Sequence, residues 1–338
     1  MKVLVTGSTG FIGSHLCRRL VANGYHVRAF HRPGSPTQLI EDLPVEHAIG
    51  DITDSSSLQI PMRGVQVVFH AAAKLGKSTH QETYTVTVGG THNVLQAAML
   101  SGVQRVVHTS SVAALGVPVI PGIHPESIKH PALMDERHSW NYRPEWWRYG
   151  HAKHRAEMEV QRAVAMGLDA VIVNPTLVIG TGDINKISGD VILRVARGQL
   201  KIATQGGLNA IHISDVVKGH LTAMESGERG ERYILGGNNL THLDFLKITA
   251  EIVGAKPPGI VLPARLIRSL IPLFSLWGKY FHLPFSPEAA RKVGYHFYYD
   301  SSKAQSELGL IAAHSIHDAI IQSYNWYHAQ GIDKLLTT

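Results

Sequence analysis

The feature that most constrains this chain is a glycine-rich turn near its start. A short apolar run at residues 3–6 leads into residues 6–13, which read TGSTGFIG, and a helical pattern begins at Phe11. Glycines at this spacing permit a tight turn, close packing of helix on strand, and close approach of an anion to the backbone. The helix start adds unpaired N–H groups and a positive dipole end. The turn therefore predicts a site for the pyrophosphate of a dinucleotide, with a tight turn that binds no ligand as the alternative.

Strand-like and helical patterns alternate through the first half of the chain. The strands are predicted at residues 3–6, 25–31, 45–49, 65–71, 105–110 and 170–174, and the helices at 11–22, 82–100 and 149–166. Repeated strand–helix–strand order predicts parallel strands joined by crossover helices. We therefore expect an α/β fold with a doubly wound parallel sheet of the Rossmann type.

The regular alternation ends in the second half of the chain. Segments rich in glycine and proline separate short helices and strands there, at 180–189, 255–259 and 283–287. Runs at 210–213 and 232–235 resemble strands that return to the main sheet. We predict a dinucleotide-binding domain over residues 1–174 with a returning segment at about 209–236. Residues 175–338 are then mainly a smaller, interleaved, C-terminal substrate-binding lobe.

Composition narrows the class of protein further. The chain has 338 residues, of which 44% are hydrophobic and 17% charged, so it can bury a large core. Its single cysteine, Cys17, cannot form an internal disulfide, and we expect it to be a buried structural thiol in a reducing compartment. The first residues run directly into a strand, and two arginines and a proline interrupt the apolar stretch 262–277. We therefore expect no signal peptide, no membrane span and a cytoplasmic location.

The net charge of +6 raises the question of a nucleic-acid partner. The Lys and Arg residues are scattered, without a basic stripe and interleaved aromatics, so no nucleic-acid binding is expected. A positive surface instead suits an anionic cofactor. None of the 21 histidines forms a pair with the spacing typical of a zinc site, so no metal is expected.

The end of the second predicted strand distinguishes NAD from NADP. An acidic residue at this place accepts hydrogen bonds from the ribose of NAD, whereas arginine accommodates the 2′-phosphate of NADP. The chain reads His31-Arg32-Pro33 here, without an acid. Arg32 can bind a phosphate through charge-assisted hydrogen bonds, so NADP, as NADPH, is predicted over NAD.

A tyrosine and a lysine four residues apart, Tyr149 and Lys153, share one helix face. A free phenol has a pKa near 10, and a neighbouring cation is expected to lower it. Such a pair suits proton exchange with a carbonyl or alcohol oxygen. Upstream, a buried-looking strand ends in Thr109, Ser110 and Ser111, at the sheet edge where parallel sheets bind ligands. We expect the Ser111 hydroxyl to hydrogen-bond the substrate oxygen; a helix-capping serine is the alternative.

Taken together, these segments resemble the extended short-chain dehydrogenases/reductases, the NAD-dependent epimerase/dehydratase superfamily. Within that superfamily, Arg32 and two later segments look most similar to bacterial dihydroflavonol-4-reductase-like proteins, whose relatives include 3β-hydroxysteroid dehydrogenases and hopanoid-associated sugar epimerases. The matching pieces are TGSTGFIG at 6–13, GDITD at 50–54, HAAA at 70–73, TSS at 109–111, YGHAK at 149–153, NPTLVIG at 174–180, HISDVVKGH at 212–220, ERYILGG at 231–237 and YDSSKAQSELG at 299–309.

The resemblance implies a role for each matching residue. Tyr149 is the catalytic acid/base, Lys153 binds the nicotinamide ribose and tunes the tyrosine, and Ser111 polarises the substrate oxygen, with Ser110 or Thr109 as a substitute. The family usually carries Asn where this chain has Thr87. The implied cofactor-binding residues, besides Arg32, Thr109, Tyr149 and Lys153, are Gly7, Gly10, Phe11, Ile12 and Gly13 at the pyrophosphate, Asp51 and Ile52 at the adenine, Ala71, Ala72, Ala73 and Lys74 along the ribose and nicotinamide, and Pro175, Thr176 and Val178 at the nicotinamide end.

These residues predict an NADP-dependent oxidoreductase that reduces a ketone or aldehyde, with Tyr149 as general acid/base. Two alternatives stay open. A nucleotide-sugar epimerase or dehydratase would hold NAD tightly and usually has an acid where Arg32 stands. A dinucleotide-sensing regulator without turnover would have the fold but generally lacks the tyrosine. The helices at 82–100 and 149–166 are those that relatives use to form homodimers, so a homodimer is expected by analogy.

The substrate is expected to be a small-molecule carbonyl compound or alcohol with an apolar body. The stretch between Ser111 and Tyr149 is rich in aromatic residues, and 262–277 is apolar. Hydrophobic pocket walls suit a flat aromatic or alicyclic ketone or an acyl aldehyde. The alternative is that these residues pack the smaller lobe or a dimer face. The aromatic residues concerned are Trp140, Tyr142, Trp146 and Trp147.

Overall fold

The inner strands of the sheet form where the sequence is apolar on both faces, and helices cover them on both sides. The computed structural model describes residues 1–76, 78–118, 131–269 and 287–332. The strands in this part of the chain are β1 (Lys2–Thr6), β2 (His26–His31), β3 (Glu46–Ile49), β4 (Val67–His70), β5 (Arg105–Thr109), β6 (Ala170–Pro175), β7 (Leu177–Ile179), β8 (Ile202–Thr204), β9 (Gly207–His212), β10 (Arg232–Leu235), β11 (Asn238–Thr241) and β12 (Ile260–Leu262).

The helices predicted at 11–22 and 149–166 begin and end close to the predicted positions, and the one predicted at 82–100 is divided into two. The described helices are α1 (Phe11–Ala22), α2 (His80–Tyr84), α3 (Gly90–Leu100), α4 (Arg148–Ala165), α5 (Gly189–Ala196), α6 (Ile213–Ser226), α7 (His242–Val253), α8 (Ala264–Ser269), α9 (Pro287–Arg291), α10 (Ser302–Leu308) and α11 (Ile316–Ala329). A π-helical turn at Thr85–Gly89 joins α2 to α3. Single-turn 3-10 helices lie at Ser55–Leu58, Val112–Leu115 and Pro144–Trp146.

Seven described strands form one parallel sheet in the order β3-β2-β1-β4-β5-β6-β10. Successive residues of a strand point to opposite faces, so the sheet separates two cores. Val3 packs with Leu16 of α1 on one face, and Leu4 packs with Val94 of α3 on the other. The predicted doubly wound fold is confirmed. Cys17 is buried in the first core, and burial raises the pKa of its thiol to about 12.

The strand order places a crevice beside β1. The chain runs outward from β1 to β2 and β3, and then crosses back to β4 on the other side of β1. Ligands of such sheets bind outside the carboxyl ends of the strands, where the order reverses. The glycine turn follows β1 at this edge, and Ala71 follows β4.

One strand lies elsewhere than predicted. The run 232–235 joins the main sheet as β10 beside β6, as expected. The run 210–213 does not, because its strand, β9, pairs with β7 and β11 in a separate sheet. Pro175 ends β6 and has no N–H to donate, and the next strand, β7, pairs with β9 in the second sheet. A third core, with Ile192, Phe245 and Ile320, lies against this second sheet.

Replacing Gly13 tests the packing between the glycine turn and α1. A Cβ at Gly13 would lie 2.1 Å from the carbonyl oxygen of Gly7, so the backbone would have to move. We expect Gly13→Ala to lower the free energy of unfolding by about 1–3 kcal/mol in urea denaturation. Gly89→Ala is the matched control, since a Cβ there meets no atom within 4 Å and its φ of −62° is helical. Equal stability of Gly13→Ala and the wild type would contradict this packing.

Candidate active site

The glycine turn presents the start of α1 to the sheet edge. Gly7 has a φ of +68°, which favours glycine, and a Cβ there would lie 2.8 Å from the backbone nitrogen of Ala72. Gly10 precedes the helix without a side-chain cap, and the first turn contains no acidic residue. The positive end of the helix dipole is therefore not offset locally. This arrangement fits a pyrophosphate, and the contacts predicted for Gly7, Gly10, Phe11, Ile12 and Gly13 stay predictions.

The loop after β4 lies against this turn. The backbone nitrogen of Ala71 donates to the carbonyl oxygen of Thr6 at 3.2 Å, and that of Ala72 donates to Thr6 Oγ1 at 3.3 Å. Ala73 and Lys74 follow in the same loop and are half-buried. The two loops thus form the two sides of the crevice at the switch in strand order.

Thr87, which stands where the family usually has Asn, is a hydrogen-bond acceptor for this loop. Its Oγ1 accepts from the backbone nitrogen of Lys74 at 3.3 Å, and its carbonyl oxygen accepts from Thr91 Oγ1 at 2.6 Å. The side chain is buried within the π-helical turn. The Thr87 hydroxyl therefore supplies an acceptor oxygen, as the side-chain amide of an asparagine would. It lacks the two N–H donors of that amide.

The residues predicted near the adenosine end lie after β2 and β3. Arg32 follows β2 directly, and its side chain is exposed. Asp51 follows β3 closely and accepts from both the backbone nitrogen and the hydroxyl of Thr53, each at 2.8 Å. The Ile52 side chain is buried in the core against Gly90, so a ligand at this edge would meet Asp51 and backbone atoms instead.

Ser111, Tyr149 and Lys153 come together at the carboxyl end of β5. Burial raises the pKa of the Tyr149 phenol and the Ser111 side chain opposes that rise, which places the two hydroxyls next to each other. Ser111 Oγ accepts from the backbone nitrogen of Ala113 at 3.2 Å, so the capping interpretation is confirmed and the catalytic role of this serine stays a prediction. Lys153 is buried one helical turn beyond Tyr149, and its Nζ donates to the carbonyl oxygen of Thr109 at 2.8 Å. The structure therefore assembles the three residues that the sequence predicted.

The electrostatics of this group differ from the prediction in one respect. Lys153 was expected to lower the pKa of Tyr149. Burial instead raises the pKa of Tyr149 to about 12, and the hydrogen bond from Ser111 is what opposes this rise. Burial also lowers the pKa of Lys153 to about 8, partly offset by the Glu157 carboxylate. The expectation was wrong, because burial dominates the pKa of the phenol and Lys153 is not among the groups that lower it.

Ser110 and Thr109 do not substitute for Ser111. Ser110 Oγ donates to Glu157 Oε1 at 2.5 Å, away from Tyr149. Thr109 Oγ1 is hydrogen-bonded to His220 Nε2 at 2.8 Å, on the α6 side of the sheet. Both hydroxyls are buried and held by these partners. Thr109 instead contacts Lys153 through its carbonyl oxygen, which accepts the hydrogen bond from Nζ. The sequence did not reveal this contact.

Buried histidines behind the site were also missed. His70 and His108 are register partners on β4 and β5, and their ring centroids lie 5.3 Å apart. His70 Nδ1 is hydrogen-bonded to Thr6 Oγ1 at 2.7 Å, and its Nε2 to Thr91 Oγ1 at 3.0 Å. Burial lowers the pKa of His70 to about 3 and that of His220 to about 4. These side chains are therefore neutral in the folded protein at neutral pH.

The neutral histidines predict a loss of stability in acid. Between pH 6.5 and about 4 the unfolded chain binds protons at His70 and His220 that the folded protein does not bind, so the free energy of unfolding falls as the pH falls. At pH 5 we expect roughly 2 kcal/mol from each histidine. Urea denaturation at pH 7 and pH 5 measures the loss, and His220→Gln should reduce it. An equal loss in wild type and variant would contradict this assignment.

The aromatic stretch packs beside Tyr149. Trp147 is buried in a cluster that also includes Trp140, Tyr142 and Tyr149. Trp146 lies at the margin, with the Arg143 guanidinium 4.7 Å from its ring centroid. These aromatic side chains form an apolar wall next to the reactive hydroxyls. Residues 119–130 and 270–277, parts of the two stretches expected to line the pocket, lie outside the described residues, as do 283–286 of the last glycine- and proline-rich segment.

The predicted contacts for the nicotinamide end lie at and after the end of β6. Pro175 is its last residue, and the backbone nitrogen of Thr176 donates to the carbonyl oxygen of Leu235 at 3.1 Å. Val178 lies in β7 and pairs with Ile211 of β9. Pro175 and Thr176 stand at the same sheet edge as Ser111, which accepts a hydrogen bond from Asn174 through its carbonyl oxygen, whereas Val178 belongs to the second sheet.

Comparison with known proteins decides the family. The family model described as "NAD dependent epimerase/dehydratase family" matches residues 3–236. This chain belongs to that family. Its members bind a nicotinamide dinucleotide, which the glycine turn, the uncapped start of α1 and the reactive hydroxyls fit.

Relatives within and around the family are similar over nearly the whole chain. A Synechocystis protein named "Putative dihydroflavonol 4-reductase" is 35% identical over 98% of this chain and 95% of its own length. "Sterol demethylase protein B" of Methylococcus capsulatus is 32% identical over 98% of this chain and its full length. The solved structure of gox2253 is 32% identical, with a TM-score of 0.84 over 97% of this chain and 98% of its own.

The family places the chain among enzymes of the extended short-chain dehydrogenase/reductase type, and several relatives carry reductase or dehydrogenase names. These names and the residues of the site both indicate an oxidoreductase. Among the described residues, no helix combines the length and the apolar character needed to cross a bilayer.

Proposed function

We propose that this chain is an NADP-dependent reductase of an apolar ketone or aldehyde. The observation that carries the proposal is the Ser111 hydroxyl next to the buried Tyr149 phenol, with the buried Lys153 ammonium one turn away. Two neighbouring hydroxyls can both donate to one substrate oxygen, such as the oxygen of a carbonyl group. A bound nicotinamide supplies the hydride in such chemistry.

The side chains of this chain handle the proton. Tyr149, whose pKa burial raises to about 12, is protonated at neutral pH and can donate its proton to the substrate oxygen. Ser111, whose Oγ accepts from the backbone of Ala113, can donate its own proton to the same oxygen once that oxygen lies between the two hydroxyls and develops negative charge. The Lys153 ammonium favours the phenolate that remains on Tyr149. The apolar wall at Trp147 keeps water from this oxygen.

The preference for NADP is supported by charge at the end of β2. Arg32 is exposed at the place where enzymes that use NAD carry an acid. A guanidinium there attracts the 2′-phosphate, while a carboxylate would repel it.

The proposed substrate class follows from the aromatic wall and from the relatives. A flat ring system can pack on aromatic side chains such as Trp147 and Tyr142 beside Tyr149. Relatives are named for dihydroflavonol, hydroxysteroid and cinnamoyl-CoA chemistry, in each of which the named compound contains a ring system.

The test is oxidation of NADPH and of NADH, followed by absorbance, with aromatic, steroidal and aliphatic carbonyl compounds and with nucleotide sugars. We expect turnover with NADPH and an apolar carbonyl compound. Tightly bound NAD released on denaturation, together with epimerisation of a nucleotide sugar, would replace the proposal by an epimerase. Dinucleotide binding without turnover of any compound would favour the regulator alternative.

A further inference from the structure

A buried carboxylate lies directly behind the reactive residues. The Glu157 side chain is 6% exposed and follows Lys153 by one turn of α4. Its Oε1 accepts from Ser110 Oγ at 2.5 Å and from Asn174 Nδ2 at 2.6 Å. Its Oε2 accepts from Arg232 Nη1 at 3.1 Å. A buried charge is tolerated only when it is paired and hydrogen-bonded, and these contacts meet that requirement.

The partners of this carboxylate connect four elements of the site. Glu157 belongs to α4, which carries Tyr149 and Lys153, while Ser110 lies at the end of β5 and precedes Ser111. Asn174, on β6, uses the same Nδ2 to donate to the carbonyl oxygen of Ser111 at 3.0 Å. Arg232 reaches in from β10 at the edge of the sheet. The carboxylate therefore fixes the distance between the helix with Tyr149 and the strand end with Ser111.

We propose that Glu157 is a positioning residue that holds Ser111 against Tyr149 and keeps a negative charge beside Lys153. Only the expected effect on kcat rests on the proposed reductase function. Glu157 has no part in proton or hydride transfer itself, because its oxygens are occupied by Ser110, Asn174 and Arg232.

The charges around Lys153 give the sign of the electrostatic effect. His70 on β4 and His108 on β5 face it, and burial keeps both imidazoles neutral. Glu157 raises the pKa of Lys153 against the effect of burial. Arg232 faces Glu157 from β10, and burial, together with Arg232, lowers the pKa of His154 on α4. Removing the carboxylate should therefore lower the pKa of Lys153 further and leave less positive charge near Tyr149 at alkaline pH.

Three variants separate position from charge. Glu157→Gln keeps one acceptor oxygen for Ser110 and Asn174 but removes the charge, and Glu157→Leu removes both. Glu159→Gln is the matched control, because Glu159 lies on the same helix but pairs with His92 and Arg162 at the surface. We expect Glu157→Gln to lower kcat by about tenfold or more, and Glu157→Leu by about 100-fold. The dissociation constant for NADPH should stay near the wild-type value in all three.

Two pH measurements distinguish this role from a merely structural one. The alkaline limb of the kcat profile should move down by about one pH unit in Glu157→Gln and stay in place in Glu159→Gln. The same shift should appear without any substrate, in the titration of the Lys153 Cε resonance of ¹³C-lysine-labelled protein with NADPH added. Lys153→Arg assigns that resonance.

The outcomes keep the two proposals apart. An unchanged Lys153 titration in Glu157→Gln would overturn the electrostatic role, and an unchanged kcat in an active enzyme would overturn the positioning role. If the wild type reduces no carbonyl compound, the proposed function fails, while the titration still decides the inference. If Glu157→Leu does not fold, Glu157→Gln alone decides it.

Discussion

Replacing Tyr149 by phenylalanine should abolish most turnover and leave the cofactor bound. General acid catalysis by a positioned side chain contributes about 10²–10⁴-fold, so we expect kcat to fall by about that factor. The phenol oxygen contacts Ser111 and lies in a partly buried aromatic cluster, so the ring itself should pack as before. The measurement is NADPH oxidation at saturating substrate, with the dissociation constant of NADPH from fluorescence titration.

A second tyrosine on the same side of the sheet provides the control. Tyr84 on α2 is hydrogen-bonded through its hydroxyl to His151 of α4, away from Ser111. Tyr84→Phe removes a phenol oxygen that touches the same helix, and it should keep kcat near the wild-type value. If Tyr149→Phe were as active as Tyr84→Phe on an established substrate, Tyr149 would not be the general acid.

Replacing Arg32 by aspartate should reverse the preference between the two cofactors. A charge-assisted hydrogen bond contributes about 1.5–3 kcal/mol, so loss of the guanidinium alone should weaken NADPH binding by about tenfold to a hundredfold. The introduced carboxylate repels the 2′-phosphate and can accept a hydrogen bond from the ribose of NADH. We therefore expect the affinity for NADH to be maintained or increased. Titration of both cofactors against the two proteins measures the ratio.

The position of the charge, and not the net charge, should produce this effect. Arg19 lies in the last turn of α1 and is exposed. Because α1 runs antiparallel to the strands, its end lies at the opposite edge of the sheet from the end of β2. Arg19→Asp changes the net charge equally and should leave the ratio of the two affinities unchanged. Equal weakening of NADPH and NADH by Arg32→Asp would remove the argument for a phosphate contact.

The assignment of Ser111 shows where sequence reasoning stops. Three hydroxyl residues in a row begin at the last residue of β5, and the sequence offered all of them for the substrate oxygen. Thr109 faces His220 and Ser110 faces Glu157, whereas Ser111 lies beyond the strand at the start of a 3-10 helix and is the one next to Tyr149. The choice depends on partners from α6 and α4, which lie far away along the chain.

The pKa of Tyr149 depends on the surrounding fold in the same way. Spacing alone placed an ammonium near the phenol and suggested a lowered pKa. Desolvation by the aromatic cluster and the direction of Lys153 toward the Thr109 carbonyl reverse that expectation. Buried groups such as Glu157, His70 and His220 were not identified from sequence, because a charged or polar residue in a helix or strand gives no sign of facing inward.

The sequence by itself determined the doubly wound sheet, the start of α1 at the glycine turn and the tyrosine–lysine pair on one helix face. Each of these follows from local periodicity or from glycine spacing, which act over a few residues. Only the tertiary structure decided that β9 leaves the main sheet, that Ser111 is the hydroxyl beside Tyr149, and that Glu157 lies buried behind Lys153. Those features depend on contacts between residues distant in the chain, where burial and hydrogen-bond partners outweigh local preference.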